Sequence, residues 1–290
     1  VSIFELFRNS KVVSNINLIS IARIRQSEGS KFADVWYYIM KKITFHFKTL
    51  LVFGSLGIAR VSDSFSIFLN SIFDKVVPVS FDSRSLILIL IIGMLLNDFS
   101  NYVQHRLCHK FFWEIHELHH SATEMTIINL FRVTLLEDTL MALIVLPFNF
   151  LPLSLMNKAV SQGQWLVFAT YVLCYNLAGT FLSYLSHSSV KIIYPKPISY
   201  IFLSPSLHWL HHSDHPDHYD KNFGAIFTFW DKAFGTYLDE SHIKDIKSFG
   251  VKNSDYNKYN PFYCYYILPV IKLIRKFKNY SKTKSIGYSN

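Results

Sequence analysis

The amino-acid sequence predicts an all-α integral membrane protein, with about four transmembrane helices in two hairpins and a cytosolic helical cap carrying a histidine-rich site for two metal ions. Three observations support this fold class. Half of the 290 residues are hydrophobic, and the mean hydropathy is +0.21. Apolar segments recur along the chain, and histidines cluster at helical spacing after them. This composition is too apolar for an ordinary soluble protein of the same length.

The chain begins with a basic, amphipathic segment, residues 1–48, which we expect to lie on the cytosolic face of the membrane. A first apolar stretch follows at 49–59 and resumes at 64–73. The segment 85–102 is long and apolar enough to cross a bilayer, and it leads directly to the first histidines. Asp98 near its end is polar at membrane depth, so we expect it to face the protein interior or the site.

Two further apolar segments, 139–156 and 164–185, are joined by the short loop 157–163, so we expect a hairpin. Two crossings return the chain to the side that it left, which places the later histidines on the same face as the earlier ones. Lysine and arginine are frequent before the first span and after the fourth, and sparse in the predicted outer loops. The positive-inside rule then puts the histidines and both termini in the cytosol.

These boundaries make residues 49–237 the membrane domain that carries the site, and residues 238–290 a basic tail. Within the tail, segment 259–274 has four tyrosines among its sixteen residues, which is typical of an interfacial helix rather than a span. The formal net charge is +9, but the lysines collect in the tails. An anionic lipid surface explains them better than nucleic acid does.

Five histidines between residues 105 and 120 share the offsets of one helical face. On one straight helix they would form a stripe about 22 Å long, whereas a metal ion binds imidazole nitrogens at about 2 Å. We therefore expect a bend or break near residues 110–113 that folds the two halves of the stripe together. The same HxxHH spacing recurs at 208–212, and His187 follows an apolar run.

The prediction of a metal site depends on the repetition of these groups. A single HxxxH pair arises by chance on surface helices, but nine of the thirteen histidines fall in these groups. Neutral imidazole is a common metal ligand and suits iron, copper and zinc. The candidate ligands are His105, His109, His116, His119, His120, His187, His208, His211 and His212. We expect His215 and His218 to be loop residues, and His46 and His242 to be structural or exposed.

The order HxxxH, HxxHH, HxxHH resembles the membrane-bound fatty acid hydroxylase/sterol desaturase superfamily of histidine-rich di-iron oxygenases, over roughly residues 90–237. Further positions support the resemblance: Asp98, Arg106, Asn129, Arg132, Glu137 and the segments 220–224 and 230–236. Two sites depart from it. Thr134 and Leu135 stand where the usual RxHPxE pattern has histidine and proline, and Ser189 stands where many members have asparagine. The first departure bears on local packing or substrate fit more than on metal binding.

The resemblance implies a membrane catalytic domain that uses O2 to hydroxylate or desaturate a C–H bond of a sterol or fatty-acyl lipid. It also implies two iron ions, and the same ligands would hold zinc equally well. Because two divalent ions leave positive charge near a bilayer, we expect carboxylates to neutralise it from behind the histidines. Asp98 and Glu137 are the candidate catalytic residues of this kind, and Glu117, Asp214 and Asp231 are further candidates.

The expected partners are a lipid substrate, the membrane and a separate electron donor such as a ferredoxin or cytochrome, because the sequence has no flavin, haem or iron–sulfur motif. No nucleic acid is expected. The sequence ends without an ER-retention signal, which favours a bacterial inner membrane over the ER. Two alternatives stay open: oxidation of an alkylglycerol or a carotenoid, and a catalytically degenerate metal-binding membrane protein.

Overall fold

The computed structural model of the protein describes residues 32–44, 83–144 and 179–286, together with positions 67, 71, 148, 173 and 177. Within these ranges every regular element is a helix. Pairing of β type is limited there to two isolated bridges, Phe202 with Phe227 and Ser213 with Phe249. The predicted all-α class is confirmed for this part of the chain.

The helices are numbered in chain order. The α-helices are α1 (32–44), α2 (Ser83–Phe111), α3 (Trp113–His120), α4 (135–144), α5 (179–186), α6 (Lys196–Ser199), α7 (Pro205–His212), α8 (Phe229–Ala233), α9 (Pro261–Tyr266) and α10 (Leu268–Ile286). Short 3-10 helices cover Asn129–Phe131, Pro216–His218, Glu240–Asp245 and Asp255–Asn257. Helices α2, α3 and α7 carry all the candidate ligands except His187, which directly follows α5.

The helix break that the histidine spacing predicts lies at Phe112. Helix α2 ends at Phe111 and α3 begins at Trp113, while Phe112 itself has φ −127° and ψ 29°, outside the helical region. The turn is tight, because the Phe112 amide donates to the Cys108 carbonyl at 2.9 Å and the Ile115 amide donates to the Phe112 carbonyl at 3.0 Å. The two halves of the histidine stripe are therefore folded against each other.

The apolar residues of α3 anchor it in the main hydrophobic core. Ile115 and Leu118 are fully buried. Leu118 packs in a cluster with residues from α1, α9, α10 and the 255–257 turn: Tyr37, Met40, Tyr256, Cys264, Tyr265 and Leu268. Burying one such leucine side chain stabilises the fold by about 1.5–3 kcal/mol. This packing fixes α3, and with it three of the candidate ligands.

The segment predicted as a basic tail packs on α3. Lys272 of α10 donates to Glu117 at 2.5 Å, and Lys276 donates to Glu114 at 2.8 Å. Glu117 also accepts from the Ser254 hydroxyl at 2.7 Å. Two of the tail lysines, which were expected to face a lipid surface, are thus paired with carboxylates of a histidine-bearing helix. The folded body therefore extends well beyond residue 237.

A second, smaller apolar cluster supports α7. Leu207 and Leu210 are fully buried and pack with Leu203 and with Ile243 of the 3-10 helix Glu240–Asp245. Pro205 begins the helix, where its missing N–H costs nothing and its fixed φ favours the helical conformation. The packing of these leucines fixes α7, and with it the three histidines that the helix carries.

Most of the residues in three predicted membrane spans, 49–73, 139–156 and 164–185, lie outside the described residues. Of the lead-in 1–48, the structure describes only α1. The span predicted at 85–102 lies within α2. Among the helices that the structure describes, none combines the length and the apolarity that a bilayer crossing requires.

Candidate metal centre

The nine candidate ligands come together as two groups. In each group, one ring nitrogen from every member lies within 4.8 Å of those of all the others. The five-histidine group consists of His105, His109, His116, His120 and His211. The four-histidine group consists of His119, His187, His208 and His212. Every position that the spacing singled out is therefore in one of the two groups, and only the structure shows how they divide.

Helices α3 and α7 each contribute to both groups, which makes the groups neighbours. On α7, His211 belongs to the five-histidine group, while His212 belongs to the other. On α3, His120 and His119 divide in the same way. The rings of His120 and His212 stack across the boundary with their centroids 4.4 Å apart. Two metal ions held by these groups would therefore lie side by side.

The separations between ring nitrogens match those of ligands on a single ion. The Nε2 atoms of His109 and His120 are 3.0 Å apart, as are those of His208 and His212, and those of His187 and His208 are 3.3 Å apart. Two nitrogens bound to one ion at about 2.1 Å, at angles of about 90–110°, lie about 3.0–3.4 Å from each other. Both groups thus fit metal coordination.

Hydrogen bonds at the other ring nitrogen orient several of the candidate ligands. Three rings have Nδ1 beside a main-chain carbonyl: His105 at Phe223 (3.0 Å), His211 at Lys221 (2.7 Å) and His187 at Ser183 (3.0 Å). Because a carbonyl only accepts, each of these neutral rings donates from Nδ1 and presents a lone pair on Nε2. The metal-binding nitrogen is thereby selected before any ion arrives.

Unpaired ring nitrogens also indicate a metal site. The Nε2 atoms of His105, His116 and His211 are buried and have no hydrogen-bond partner among the described residues. A buried polar atom left unpaired costs about 1–3 kcal/mol. Coordination of a metal ion would remove this cost, so the orphaned nitrogens are themselves an indication of an ion in the five-histidine group.

Burial lowers the pKa of eight of these imidazoles and so favours their neutral form. It lowers the pKa of His109 and of His187 to about 4, against the opposing hydrogen bonds to Asp220 and to the Ser183 carbonyl. Burial, reinforced by neighbouring histidines, lowers the pKa of six others well below the usual range: His105, His119, His120, His208, His211 and His212. Neutral imidazole is the form that binds metal, so the cluster is ready for an ion at neutral pH.

Glu137 contacts a candidate ligand directly. Its Oε1 atom accepts from His116 Nδ1 at 2.6 Å, and both side chains are buried. A carboxylate in this position fixes the ring and raises the basicity of the nitrogen that faces the ion. This contact agrees with the predicted role of Glu137, which stays a prediction.

Thr134, where the sequence departs from the RxHPxE pattern, sets the position of Glu137. Its hydroxyl oxygen accepts from the Glu137 amide at 3.1 Å, and its carbonyl accepts from the Asp138 amide at 3.0 Å. This is the geometry of a helix N-cap. Ser189, the other departure, is exposed and lies two residues beyond His187. Neither departure removes a member of the histidine groups.

Asp98 is fully buried and so faces the protein interior, as expected. Its described contacts are to the loop 222–228 and to Trp230 of α8 rather than to a histidine. Its carboxylate accepts from the amides of Ile226 at 2.9 Å and Phe227 at 3.3 Å, and from the Trp230 indole at 3.0 Å. Asp98 thus ties α2 to the loop 222–228. Its effect on the histidines passes through that loop, which makes it a positioning residue.

Asp231 holds the same loop from the other side. It accepts from the amides of Phe223 and Gly224, both at 2.8 Å, and from the Thr236 hydroxyl at 2.7 Å. There is no room for a side chain at Gly224, because a Cβ atom there would lie 2.5 Å from the Phe227 carbonyl oxygen. These contacts fix the Phe223 carbonyl that orients His105.

Two of the other carboxylates expected to neutralise the metal charge face away from it. Glu117 pairs with Lys272, because it lies one position past His116 on α3 and so projects about 100° around the helix. Asp214 accepts from the Ser248 hydroxyl at 2.7 Å and lies 3.8 Å from Lys252. Charge compensation by these two residues is not supported by their contacts.

Asp220 lies in the segment 220–224 and contacts a candidate ligand, a role that the sequence did not predict. Its Oδ1 atom lies 3.1 Å from His109 Nδ1, and its φ of 57° is a left-handed conformation that Asp tolerates better than most residues. The only indication of this role in the sequence is that Asp220 follows His212 by eight residues. The carbonyls of Lys221 and Phe223 could not be predicted as partners of the histidines, since every residue type has a main-chain carbonyl.

A cavity of about 610 Å³ opens onto both histidine groups. His105 and His116 of the first group and His119 of the second line it. Its remaining walls combine apolar side chains with a few polar ones, among them Leu130, Phe131, Val133, Met141, Ile226, Asn101, Gln104, Thr180 and Ser183. This size and this lining are typical of a binding site for a small organic ligand.

Comparison with known proteins gives a family and several relatives. The family model described as fatty acid hydroxylase matches residues 90–236. The chain is 28% identical over 169 residues to the alkylglycerol monooxygenase of Caenorhabditis elegans, which covers 57% of this chain and 30% of that protein. It is 29% identical over 150 residues to the ornithine lipid hydroxylase OlsE of Rhizobium tropici, covering 51% and 41%.

The human alkylglycerol monooxygenase is 29% identical over 147 residues, covering 50% of this chain and 29% of that protein. The chain thus spans between about three tenths and two fifths of the length of these relatives. No solved structure matches it. The residues that the family model matches, 90–236, include every member of both histidine groups.

Proposed function

This chain belongs to the fatty acid hydroxylase family, and we propose that it is a membrane-bound di-iron enzyme that uses O2 to hydroxylate a C–H bond of a lipid. One observation carries the proposal: two adjacent, all-imidazole groups meet at the wall of a single cavity. Lipid oxidation at a general level agrees with the family and with the names of the relatives.

The residues fit two iron ions, with one ion held by each histidine group. Bound iron would supply the reductive activation of O2 and the removal of hydrogen from an unactivated C–H bond. The nitrogen separations of 3.0–3.3 Å and the orphaned Nε2 atoms support occupancy of both groups. Zinc would suit the same nitrogens, so the identity of the metal is part of the proposal.

The protein's own residues hold the ligands and present the substrate. The carbonyls of Phe223, Lys221 and Ser183 fix three rings, and Glu137 fixes a fourth. The apolar part of the cavity would bind a hydrocarbon chain and exclude water from the histidines. The polar part would bind oxygen or nitrogen atoms of the same substrate.

Hydroxylation is favoured over desaturation, because the relatives are named monooxygenase and hydroxylase. Their names also indicate lipids with a polar headgroup, an alkylglycerol in one case and an ornithine lipid in the other. The mixed lining of the cavity suits such a lipid. Hydroxylation of an alkylglycerol or of an ornithine-type lipid is therefore the leading form of the proposal, and fatty-acyl or sterol desaturation is the second candidate function.

Membrane association is supported by the surface of α2. Ile87, Leu88, Ile91 and Ile92 are 40–58% exposed on this helix, and a contiguous apolar surface of this kind is unfavourable in water. We propose a multi-pass arrangement in a bacterial inner membrane, with the histidines and both termini in the cytosol. Electrons would come from a separate ferredoxin or cytochrome.

The first test is the metal content and activity of detergent-purified protein from cells grown on iron-57. Elemental analysis should find about two irons per chain, with a Mössbauer spectrum of coupled ions that changes on exposure to O2. Supplied with reductant, the protein should convert an alkylglycerol or ornithine lipid to a hydroxylated product. Iron-loaded protein that consumes no O2 with any of these lipids would instead support the degenerate, metal-binding alternative.

Substitution of single ligands separates the proposal from a general effect on folding. Changing His116, His119, His120, His211 or His212 to Ala should abolish product formation. His215→Ala is the matched control, because His215 lies outside both groups on the same stretch of chain. Unchanged turnover in all five ligand variants would refute the proposed site.

A further inference from the structure

A third cluster of metal-ligating side chains lies outside the two histidine groups. It consists of His218, His242 and Asp245, and one ligand atom from each lies within 4.8 Å of the other two. His242 Nδ1 lies 3.4 Å from Asp245 Oδ2. None of the three belongs to either histidine group, so the proposed oxidation chemistry does not account for them.

The local structure holds two of these residues side by side. His242 and Asp245 are three residues apart in the 3-10 helix Glu240–Asp245, and this spacing puts side chains directly above one another in a helix of three residues per turn. Ile243 anchors that helix in the cluster with Leu207 and Leu210 of α7. The pair is therefore fixed relative to the main metal centre.

His218 supplies the third ligand from another part of the chain. It ends the 3-10 helix Pro216–His218, and it is only 1% exposed. Both of its ring nitrogens are buried without a hydrogen-bond partner among the described residues. A neutral imidazole has one donor and one acceptor to satisfy, and leaving each one unpaired costs about 1–3 kcal/mol. Such a side chain needs a ligand.

We propose that His218, His242 and Asp245 bind a divalent transition-metal ion, with zinc as the best match. Two imidazoles and one carboxylate are a common zinc set, in which water fills the fourth position. The separation of 3.4 Å between His242 and Asp245 already equals the spacing of tetrahedral ligands at about 2.1 Å. His242 is partly exposed, so an ion at this position could also bind water.

The ion would brace the main metal centre without taking part in its chemistry. His218 lies two residues before Asp220, which contacts His109, and three before Lys221, whose carbonyl orients His211. A metal bridge from His218 to the 3-10 helix Glu240–Asp245 would hold this stretch in place. The role is a structural one, and its measurable consequence is order in residues 214–224.

Zinc titration of the full chain in detergent, stripped beforehand with a chelator, tests the site. Bound zinc is counted by elemental analysis in the wild type, His242→Ala, Asp245→Asn and Asp217→Asn. Asp217 is the matched control, since it carries the same charge next to His218 but is exposed and outside the cluster. The wild type and Asp217→Asn should each bind one equivalent more than the other two variants.

Hydrogen exchange supplies a second readout that is independent of activity. Zinc should slow exchange in the peptide covering residues 214–224 more strongly in the wild type and Asp217→Asn than in His242→Ala and Asp245→Asn, in which only the two histidine groups remain to bind it. Equal zinc counts in all four proteins would overturn the proposal. Loss of the same equivalent in Asp217→Asn would also overturn it, because the effect would then follow charge rather than coordination.

Discussion

The Nδ1 atom of His116 lies 2.6 Å from the Oε1 atom of Glu137, in a place where both side chains are buried. This contact joins α3 to α4 across 21 residues of sequence. It leaves the Nε2 atom of His116 facing the five-histidine group with no other partner among the described residues. Glu137 therefore determines which nitrogen of His116 is available to a metal ion.

Replacing Glu137 tests this relationship. Glu137→Ala should weaken metal binding by about 10–100-fold, because carboxylates behind a ligating histidine typically contribute that much. Glu137→Gln keeps an accepting oxygen and should lose less. Metal affinity is measured by competition with a chelator. Asp138→Asn is the control: it removes a neighbouring charge that pairs with Lys41 at 3.3 Å, and an unchanged affinity is expected.

The division of the ligands predicts that the two metal positions are lost separately. His105 belongs to the five-histidine group and His187 to the four-histidine group. Each change to Ala should lower the iron content by about one ion per chain, and the double variant by about two. Elemental analysis of the purified proteins checks this. Loss of both ions in either single variant would contradict two independent positions.

Gly224 should be intolerant of a side chain. The Cβ atom of Gly224→Ala would meet the Phe227 carbonyl oxygen at 2.5 Å, and relieving such a contact costs about 1–3 kcal/mol. The free energy of unfolding should fall by this amount. Metal affinity should fall with it, because the loop that carries the Phe223 carbonyl has to shift.

Gly179→Ala is the matched substitution. Gly179 is in helix α5, and a Cβ atom there meets no atom of the described residues within 4 Å. Alanine is favoured over glycine in a helix by about 0.5–1 kcal/mol, so stability should stay equal or rise. Chemical denaturation of both variants gives the comparison, and equal destabilisation of the two would rule out the steric explanation for Gly224.

The contacts of α10 with α3 predict unequal effects of two lysines. Lys272→Met removes the partner of Glu117 in a largely buried pair, and a hydrogen bond to a charged group contributes about 1.5–3 kcal/mol. Lys276→Met removes the partner of Glu114 in a more exposed pair, which is worth about 0–1 kcal/mol. The midpoint of chemical unfolding should drop clearly for the first and little for the second.

A mere lipid-binding role for both lysines would give a different result. The two substitutions would then lower binding to anionic vesicles equally and leave the unfolding midpoint unchanged. Measuring vesicle binding beside stability therefore decides whether this stretch of α10 belongs to the folded body or to the membrane surface.

The residues that can form the site were predictable from the sequence. Helical offsets depend only on local geometry, so the spacing of His105 to His120 indicated both a shared face and a break, and the break lies at Phe112. The HxxHH spacing on α7 identified its three histidines in the same way. The family resemblance, too, was visible in the order of these motifs.

How those residues are combined depends on contacts between distant parts of the chain. The assignment of His119 and His120 to different groups depends on where α7 crosses α3. His105 and His211 are oriented by main-chain carbonyls, which every residue type has, so the sequence gives no sign of them. The role of Thr134 as the N-cap that positions Glu137 is also visible only in the structure. The packing of α10 and the meeting of His218 with His242 are likewise long-range. Periodicity fixes the face of a helix, whereas the contacts of that face depend on the path of the rest of the chain.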